Sequence, residues 1–278
     1  MKTTKEIALE NNERHNKLVA DEFLSAVRPI YVVPRGQDAP IAIGSSTLLK
    51  VNDASFLLTA AHVADEAKEG ALLVGGSVER SLVRLEGQFF STTAPAGVRE
   101  KDHYDFSFLR LSTEQVAALG SDVRFIAHTD VSQNRGTLPG RRFLMLGYPV
   151  SKNKKSVSRP KRAIKPALSS YQGFHLEAPD LLKKLGLSGV DHLTIKHEAR
   201  SALFDGTTDN SIHPRGNSGG PLIDFGLPNP AELAPGAVLP KGRLSGLFIE
   251  RYKEYDVLLF VKIQCVIEQI LRATQESS

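Results

Sequence analysis

Short apolar runs punctuated by Gly, Asn and Asp turns recur from Ile30 to about Gln133 and again from Arg141 to Lys262. Runs this brief, broken this often, suit successive strands and leave no room for packed helices, so the chain is restricted to β-structure laid down in two sets. The segment Phe106-Ser107-Phe108-Leu109-Arg110-Leu111 shows the period-two alternation of a half-buried strand. At 278 residues and 41% hydrophobic, the chain has material for two small closed barrels of roughly 100 residues each.

Outside the two sets the period changes to that of a helix. Residues 5–28 place Leu18, Val19, Phe23, Ala26 and Val27 on one face, and Pro29 ends the run. Such a face suits a packing arm on the first barrel or an arm that binds a partner. Gln264 to Arg272 sets Val266, Ile267, Ile270 and Leu271 on one side, with Cys265 beside them as a packing residue. The expected division is a helical arm over 1–29, a first barrel over 30–135, a second over 136–262 and a C-terminal helix over 263–278.

Composition narrows the function classes. A lone cysteine excludes an internal disulfide and fits a reducing compartment. The opening Met1-Lys2-Thr3-Thr4-Lys5-Glu6 lacks the apolar centre of a signal peptide, and no stretch reaches the roughly 18 apolar residues that span a bilayer. A cytoplasmic location without a membrane span is therefore expected. The net charge of +4 conceals a block from Arg141 to Lys165 that holds Arg141, Arg142, Lys152, Lys154, Lys155, Arg159, Lys161, Arg162 and Lys165 with no acid among them. That block suits an acidic partner or polyanion, or else it is a solvated loop; only Phe143 and Tyr148 are interleaved for base stacking. His192 and His197 lie five apart, which on a strand puts them on opposite faces, so no joint metal site is expected and none is assigned elsewhere.

The chemistry concentrates in three segments. Gly216-Asn217-Ser218-Gly219-Gly220-Pro221 marks Ser218 as a nucleophile candidate, because flanking glycines let the backbone turn until the Gly216 and Ser218 amides point at one spot and keep side chains away from an acyl group. A serine hydroxyl also needs a base, and the base an anionic acceptor that fixes its tautomer. His62, at the end of Phe56-Leu57-Leu58-Thr59-Ala60-Ala61, fits the first role, and Asp105, heading its apolar strand, fits the second. Asp102 is nearby but is read as a loop residue.

In this order and setting the three segments resemble those of the chymotrypsin-fold (trypsin-like) serine peptidases. Thr59-Ala60-Ala61-His62 is similar to that family's histidine motif, Asp105 with its strand to the aspartate motif, and Gly216 to Pro221 to the serine motif. Gly44-Ser45-Ser46-Thr47-Leu48-Leu49 and Leu146-Gly147-Tyr148-Pro149 resemble, more loosely, strands of the bacterial high-temperature-requirement branch. The likeness runs from about Ile30 to Ile263, leaving about 15 residues after it, too few for that branch's PDZ domain.

The resemblance implies an all-β fold of two orthogonal six-stranded β-barrels with N-terminal and C-terminal helices. It also implies catalytic His62, Asp105 and Ser218, an oxyanion hole from Gly216 and Ser218, and no metal or other cofactor. Its primary specificity pocket would take Ile212 and His213, His213 either lining it or capping a loop, and walls from Leu244-Ser245-Gly246-Leu247-Phe248, with Ser245, Gly246 and Leu247 at their centre and Gly246 leaving room for a side chain. Two departures stand out: Asn217 replaces the aspartate that digestive members carry there, and no Ile-Val-Gly-Gly-like start is present. The expected function is an intracellular serine endopeptidase acting on proteins or peptides. Its rival is a catalytically idle fold that binds protein or nucleic acid through the 141–165 block.

Overall fold

The computed structural model describes residues 3–76, 82–133, 136, 139–154, 157–158, 163–198, 200–202, 208–210, 214–227, 229–234 and 237–276. Two antiparallel sheets dominate it. The first contains β1 (Val27–Pro34), β2 (Ile41–Val51), β3 (Ala54–Ala60), β4 (Gly70–Gly75), β5 (Leu82–Arg84), β6 (Phe89–Ser91) and β7 (Phe106–Arg110) in the order β5-β4-β1-β2-β3-β7-β6, with the short β8 (Ile126–Ala127) parallel to β2. The second begins with β9 (Arg142–Gly147); the small pair β10 (Val157–Ser158) and β11 (Ala163–Ile164) stands apart from it. Continuing the second sheet are β12 (Ser169–Phe174) and β13 (His192–Lys196), and after another separate pair, β14 (Arg200–Ala202) and β15 (Thr208–Asn210), come β16 (Pro221–Gly226), β17 (Arg243–Tyr252) and β18 (Val257–Lys262). Their order is β12-β9-β16-β17-β18-β13. Each sheet curls into a half-barrel, and helices stand at both ends of the chain.

Both faces of the central strands are buried. In β3 and β7, Leu57 and Leu109 point into the first barrel's own core with Ile30, Leu48 and Val74, while Leu58, Phe106 and Phe108 point the other way. In β9, Phe143 and Met145 join Leu193, Leu222 and Phe260 inside the second barrel, and Leu144 and Leu146 turn outward. The outward residues from both sheets meet in one shared cluster. A period-two strand thus feeds its own barrel and the seam between the barrels alternately, which is why these strands read as continuous apolar runs.

The N-terminal helix spans Thr4–Leu24 and starts from a capping box in which the Thr3 hydroxyl accepts from the Glu6 amide at 3.3 Å and Glu6 reaches back to the Thr3 amide at 2.7 Å. It ends four residues earlier than the apolar period suggests. Val27, Arg28 and Pro29 already pair with Thr47, Ser46 and Ser45 of β2, and strand pairing overrides the local helical pattern.

Its position also corrects the expectation of an arm packed on the first barrel. Asn11 donates to the carbonyls of Glu232 and Ala234 at 2.6 and 3.0 Å, His15 stacks on Phe225 with centroids 4.4 Å apart, and Asn12 and Asn16 engage Gln172. The helix is therefore laid chiefly on the second barrel, and Val19 and Phe23 plug the shared cluster. At the other end of the chain Val266, Ile267 and Ile270 of Ile263–Glu276 enter the same cluster, with Leu271 and Cys265 packed against it.

Phe23 is 3% exposed within this cluster. Phe23→Ala should lower unfolding stability by about 3–5 kcal/mol, read as a drop in urea midpoint at unchanged slope; a loss under about 1 kcal/mol would show that the helix contributes little to the seam.

Candidate active site

β3 delivers His62. The strand ends at Ala60 and the chain turns at once into the short helix Ala61–Asp65, whose Ala61, Val63 and Ala64 are buried and leave His62 facing outward. Asp105 stands just before β7, which pairs with β3 so that Phe106 lies opposite Ala60. That register brings the carboxylate to the start of the helix: one oxygen accepts from the His62 backbone amide at 2.9 Å, and the other takes the Nδ1 hydrogen at 2.5 Å. The Asp105 carbonyl accepts from the Ala61 amide at 2.9 Å. Asp105 has φ 38°, a left-handed conformation that Asp tolerates at a cost of about 1 kcal/mol, and these three bonds hold it there. Nδ1 is thereby the protonated nitrogen of neutral His62, leaving Nε2 as the basic atom.

His62 keeps its side chain 42% exposed, against 7% for Asp105. Desolvation is the largest single influence on the imidazole and pulls its pKa down. The hydrogen bond from Asp105, the Asp105 charge and the charge of Glu250 together outweigh it, so the pKa is raised above the ordinary 6.5.

Ser218 comes from the turn before β16 and is 7% exposed. Gly216 and Gly219 make the turn, at φ 95° and 85°. A Cβ on Gly216 would lie 2.5 Å from the Val150 nitrogen, and one on Gly219 would lie 2.4 Å from the Ser45 carbonyl oxygen. Both positions need glycine on conformation and on space. The turn's amides divide into two groups. Those of Asn217, Gly219 and Gly220 donate to Pro214, Phe248 and Asn217 at 2.9, 2.9 and 2.7 Å. Those of Gly216 and Ser218 have no hydrogen-bond partner among the described residues.

A set of hydroxyls that the sequence reading did not assign fixes this turn to the first sheet. The Ser45 amide donates to the Ser218 carbonyl at 3.0 Å, Ser45 Oγ donates to the Gly216 carbonyl and receives the Tyr148 amide, each at 2.8 Å, and Thr47 donates to the Gly219 carbonyl at 3.0 Å. Thr59 secures Ser45 in turn, donating to its carbonyl at 2.8 Å. The available signal was polar residues breaking the apolar pattern of β2 and β3, where an inward hydroxyl needs a partner.

His62, Asp105 and Ser218 line one cleft of about 500 Å³ with Arg99, Glu100, Asp102, Pro214, Arg215 and the β17 segment Phe248–Arg251. The Ser218 hydroxyl is turned to the Ile249 carbonyl, 3.5 Å away, and forms no bond to His62 here. Bonds of this kind are often long or misaligned without substrate. A larger groove of about 800 Å³ between β6 and the C-terminal helix contains neither His62 nor Ser218.

The remaining sequence candidates fall as follows. Asp102 is a buried residue: Arg99 donates to it at 2.5 Å, Thr92 donates to it as well, and the Tyr104 amide reaches it at 3.2 Å, while Arg99 also holds Asp65 at 2.8 Å. It braces the loop that carries Asp105. Ser245, Gly246 and Leu247 do not line the cleft. A Cβ on Gly246 would lie 2.6 Å from the Val261 carbonyl oxygen, so the glycine serves strand packing; of the expected wall Phe248 lines the cleft, and the wall continues from it to Arg251. Ile212 and His213 lie outside the described residues. Within the basic block, Arg141 pairs with Asp224 through 2.7 and 2.8 Å bonds and Arg142 with Glu232 at 2.7 Å, so these two are structural cations; Lys152, Lys154 and Lys165 are exposed, and Lys155, Arg159, Lys161 and Arg162 lie outside the described residues. His192 packs edge-on against Tyr104 with centroids 4.7 Å apart and His197 lies 5.1 Å from Tyr171, each in a separate environment.

No protein-family profile matches the chain, and no curated protein sequence does. Solved structures do match in fold. A serine endoprotease from Yersinia pestis superposes with a TM-score of 0.53 at 14% identity, over 94% of this chain and 67% of the other. An inactivated protease paralogue from the scabies mite gives 0.56 at 14%, over 91% and 96%, and the VesB protease of Vibrio cholerae 0.54 at 13%, over 92% and 65%. The chain has the chymotrypsin-like double-barrel fold of serine proteases. Identities this low establish the fold only, and one neighbour is an inactivated protein, so the chemistry must be argued from the residues.

A His pKa raised by folding contributes stability that is complete below the unfolded value of about 6.5 and is lost as pH rises through the folded value. Proton-detected titration of His62 should place its midpoint above 6.5, and Asp105→Asn should move it down and remove that part of the pH dependence of stability. A His62 midpoint below 6.5 in the unaltered protein, or one indifferent to Asp105→Asn, would contradict the pairing.

Proposed function

We propose that the chain is a serine endopeptidase that cleaves peptide bonds through an acyl-enzyme. One observation carries this reading: a carboxylate fixes the far nitrogen of a half-exposed histidine, in a cleft shared with a buried serine whose own turn keeps the Gly216 and Ser218 amides unspent. A buried amide without a partner costs free energy, so two of them on either side of Asn217 in one turn suit a site that receives negative charge.

Rotation about one side-chain bond carries the Ser218 hydroxyl from Ile249 towards His62. Nε2 then takes its proton as Oγ attacks the scissile carbonyl, and the oxygen that becomes negative is received by the two amides. Asp105 stabilises the imidazolium formed, and the same proton passes to the departing amine. Water repeats the sequence on the acyl-enzyme. The groups on this path require no metal or organic cofactor. A lone cysteine fits an intracellular setting for this activity.

The orientation of Ser218 Oγ toward Ile249 favours the rival reading of an idle scaffold, with the exposed lysines of the 141–165 block as a docking surface. Covalent labelling separates the two. A fluorophosphonate should modify Ser218, and Ser218→Ala should abolish labelling and lower turnover of a casein digest by about 10⁴ to 10⁶ while leaving the melting temperature nearly unchanged. Labelling at another serine, or hydrolysis undiminished in Ser218→Ala, would end the assignment; an unlabelled, inactive native protein would establish the scaffold reading.

A further inference from the structure

We propose that Arg251 selects substrates carrying a carboxylate on the residue that supplies the scissile carbonyl. The inference rests on the peptidase reading and adds its substrate class.

The cleft is lined by charges of both signs, but most are already matched. Asp105 is held by His62, and Asp102 by Arg99, which also donates to Asp65 and to the Thr92 carbonyl at 2.9 Å. Glu250 accepts from the Tyr252 hydroxyl at 2.8 Å, and that hydroxyl lies 3.1 Å from His103 Nδ1. Arg215 is engaged as well. Arg251 differs from all of these. It lines the same cleft as Ser218, it forms no ion pair among the described residues, and its Nε is buried without a hydrogen-bond partner. The residue as a whole is only partly buried, so the buried Nε end leaves the rest of an unpaired guanidinium on the cleft wall, and the group that best matches its planar fork is a carboxylate.

Strand geometry places this group. Ile249, whose carbonyl lies 3.5 Å from Ser218 Oγ, precedes Arg251 by two residues in β17, a displacement of about 7 Å along the strand. Arg251 therefore stands beside the point of attack, within reach of the adjoining substrate side chain. Alternation sends Glu250 and Tyr252 to one face of the strand and Arg251 to the other, so Glu250 does not pair with it; Glu198, which with Arg251 surrounds the Tyr171 phenol, is paired with Lys196. Lys253, also on the cleft wall and without an ion pair among the described residues, adds to the positive field, while Glu100, which lines the same cleft, is exposed.

The test is a set of N-acetylated tetrapeptide 4-nitroanilides identical except for Glu, Asp, Gln, Leu or Lys before the anilide, which varies only the acyl side. Glu or Asp should exceed Gln by about 10- to 100-fold in kcat/KM, the range of a charge-assisted hydrogen bond. Arg251→Gln should bring the Glu:Gln ratio to within about twofold, Arg251→Lys should retain part of it, and Arg251→Glu should turn the preference towards Lys; circular dichroism and Ser218 labelling show that each variant is folded with an addressable site. Where turnover is too slow to rank, the Kd of Ser218→Ala protein for the Glu and Gln peptides reads the same ratio. A Glu:Gln ratio within about twofold in the native protein with Ser218 labelled, or a ratio that survives Arg251→Gln, overturns this inference and leaves the peptidase reading intact. Absence of both labelling and hydrolysis overturns that reading and the inference together.

Discussion

The two half-barrels are held in register by Ser45. Its amide and hydroxyl bind the carbonyls on either side of the reactive turn, its hydroxyl receives the end of β9 at Tyr148, and Thr59 holds its own carbonyl. All of these groups are buried, where each bond is worth about 0.5–1.5 kcal/mol when made and costs more when one partner is missing. Apolar packing at the seam is strong but non-directional. The hydroxyls supply the direction. His62 is carried by the first sheet and Ser218 by a turn of the second, so their separation is set by these contacts together with the Thr47 bond to the Gly219 carbonyl. An error of an ångström there costs on the order of 10² in rate for a bimolecular alignment of this kind.

The same seam explains where strain is placed. Asp105 departs from ordinary backbone geometry, and the conformation is stable because both carboxylate oxygens and the carbonyl are bound by the Ala61–His62 segment. Bracing continues outward through Arg99, which ties Asp102 on the Asp105 loop to Asp65 at the end of the His62 helix. The acid and the base are thus linked twice, once directly and once through a partly buried arginine. Leaving Asp102 without Arg99 would bury an uncompensated charge, a larger loss than a surface pair of the same geometry would cause. Asp102 is therefore more than a loop residue.

Much of this was legible in the residues. The two strand sets and the terminal helices follow from local pattern, and the grouping of His62, Asp105 and Ser218 was implied by the resemblance of their three motifs to those of trypsin-like peptidases. The misplacements have a common cause. The N-terminal helix stops at Leu24 because Val27–Pro29 pair with β2, its docking on the second barrel depends on Asn11 and His15 meeting a loop more than two hundred residues away, and the cleft wall falls at Phe248–Arg251 because Gly246 is needed against Val261. Each depends on a partner distant in sequence, and local periodicity carries no information about such partners. The hydroxyls of Ser45, Thr47 and Thr59 were visible as breaks in apolar strands, yet only the fold shows what they bind.

A fold shared with proteases, one of the neighbours being an inactivated paralogue, cannot by itself decide whether a chain catalyses. The physical distinction lies in what a scaffold has no reason to keep. Packing explains the glycines of the turn, the seam hydroxyls and the burial of Asp105 equally well for a binding protein. It does not explain the Gly216 and Ser218 amides without a partner among the described residues, a histidine held at Nδ1 with its other nitrogen facing a cleft, or an arginine on the wall beside them whose buried Nε is likewise without one. An unsatisfied buried group costs about 1–3 kcal/mol, and the two amides and the Arg251 Nε border the cleft that holds Ser218. In the proposed peptidase these donors would meet a substrate that brings an oxyanion at one position and a carboxylate at the next.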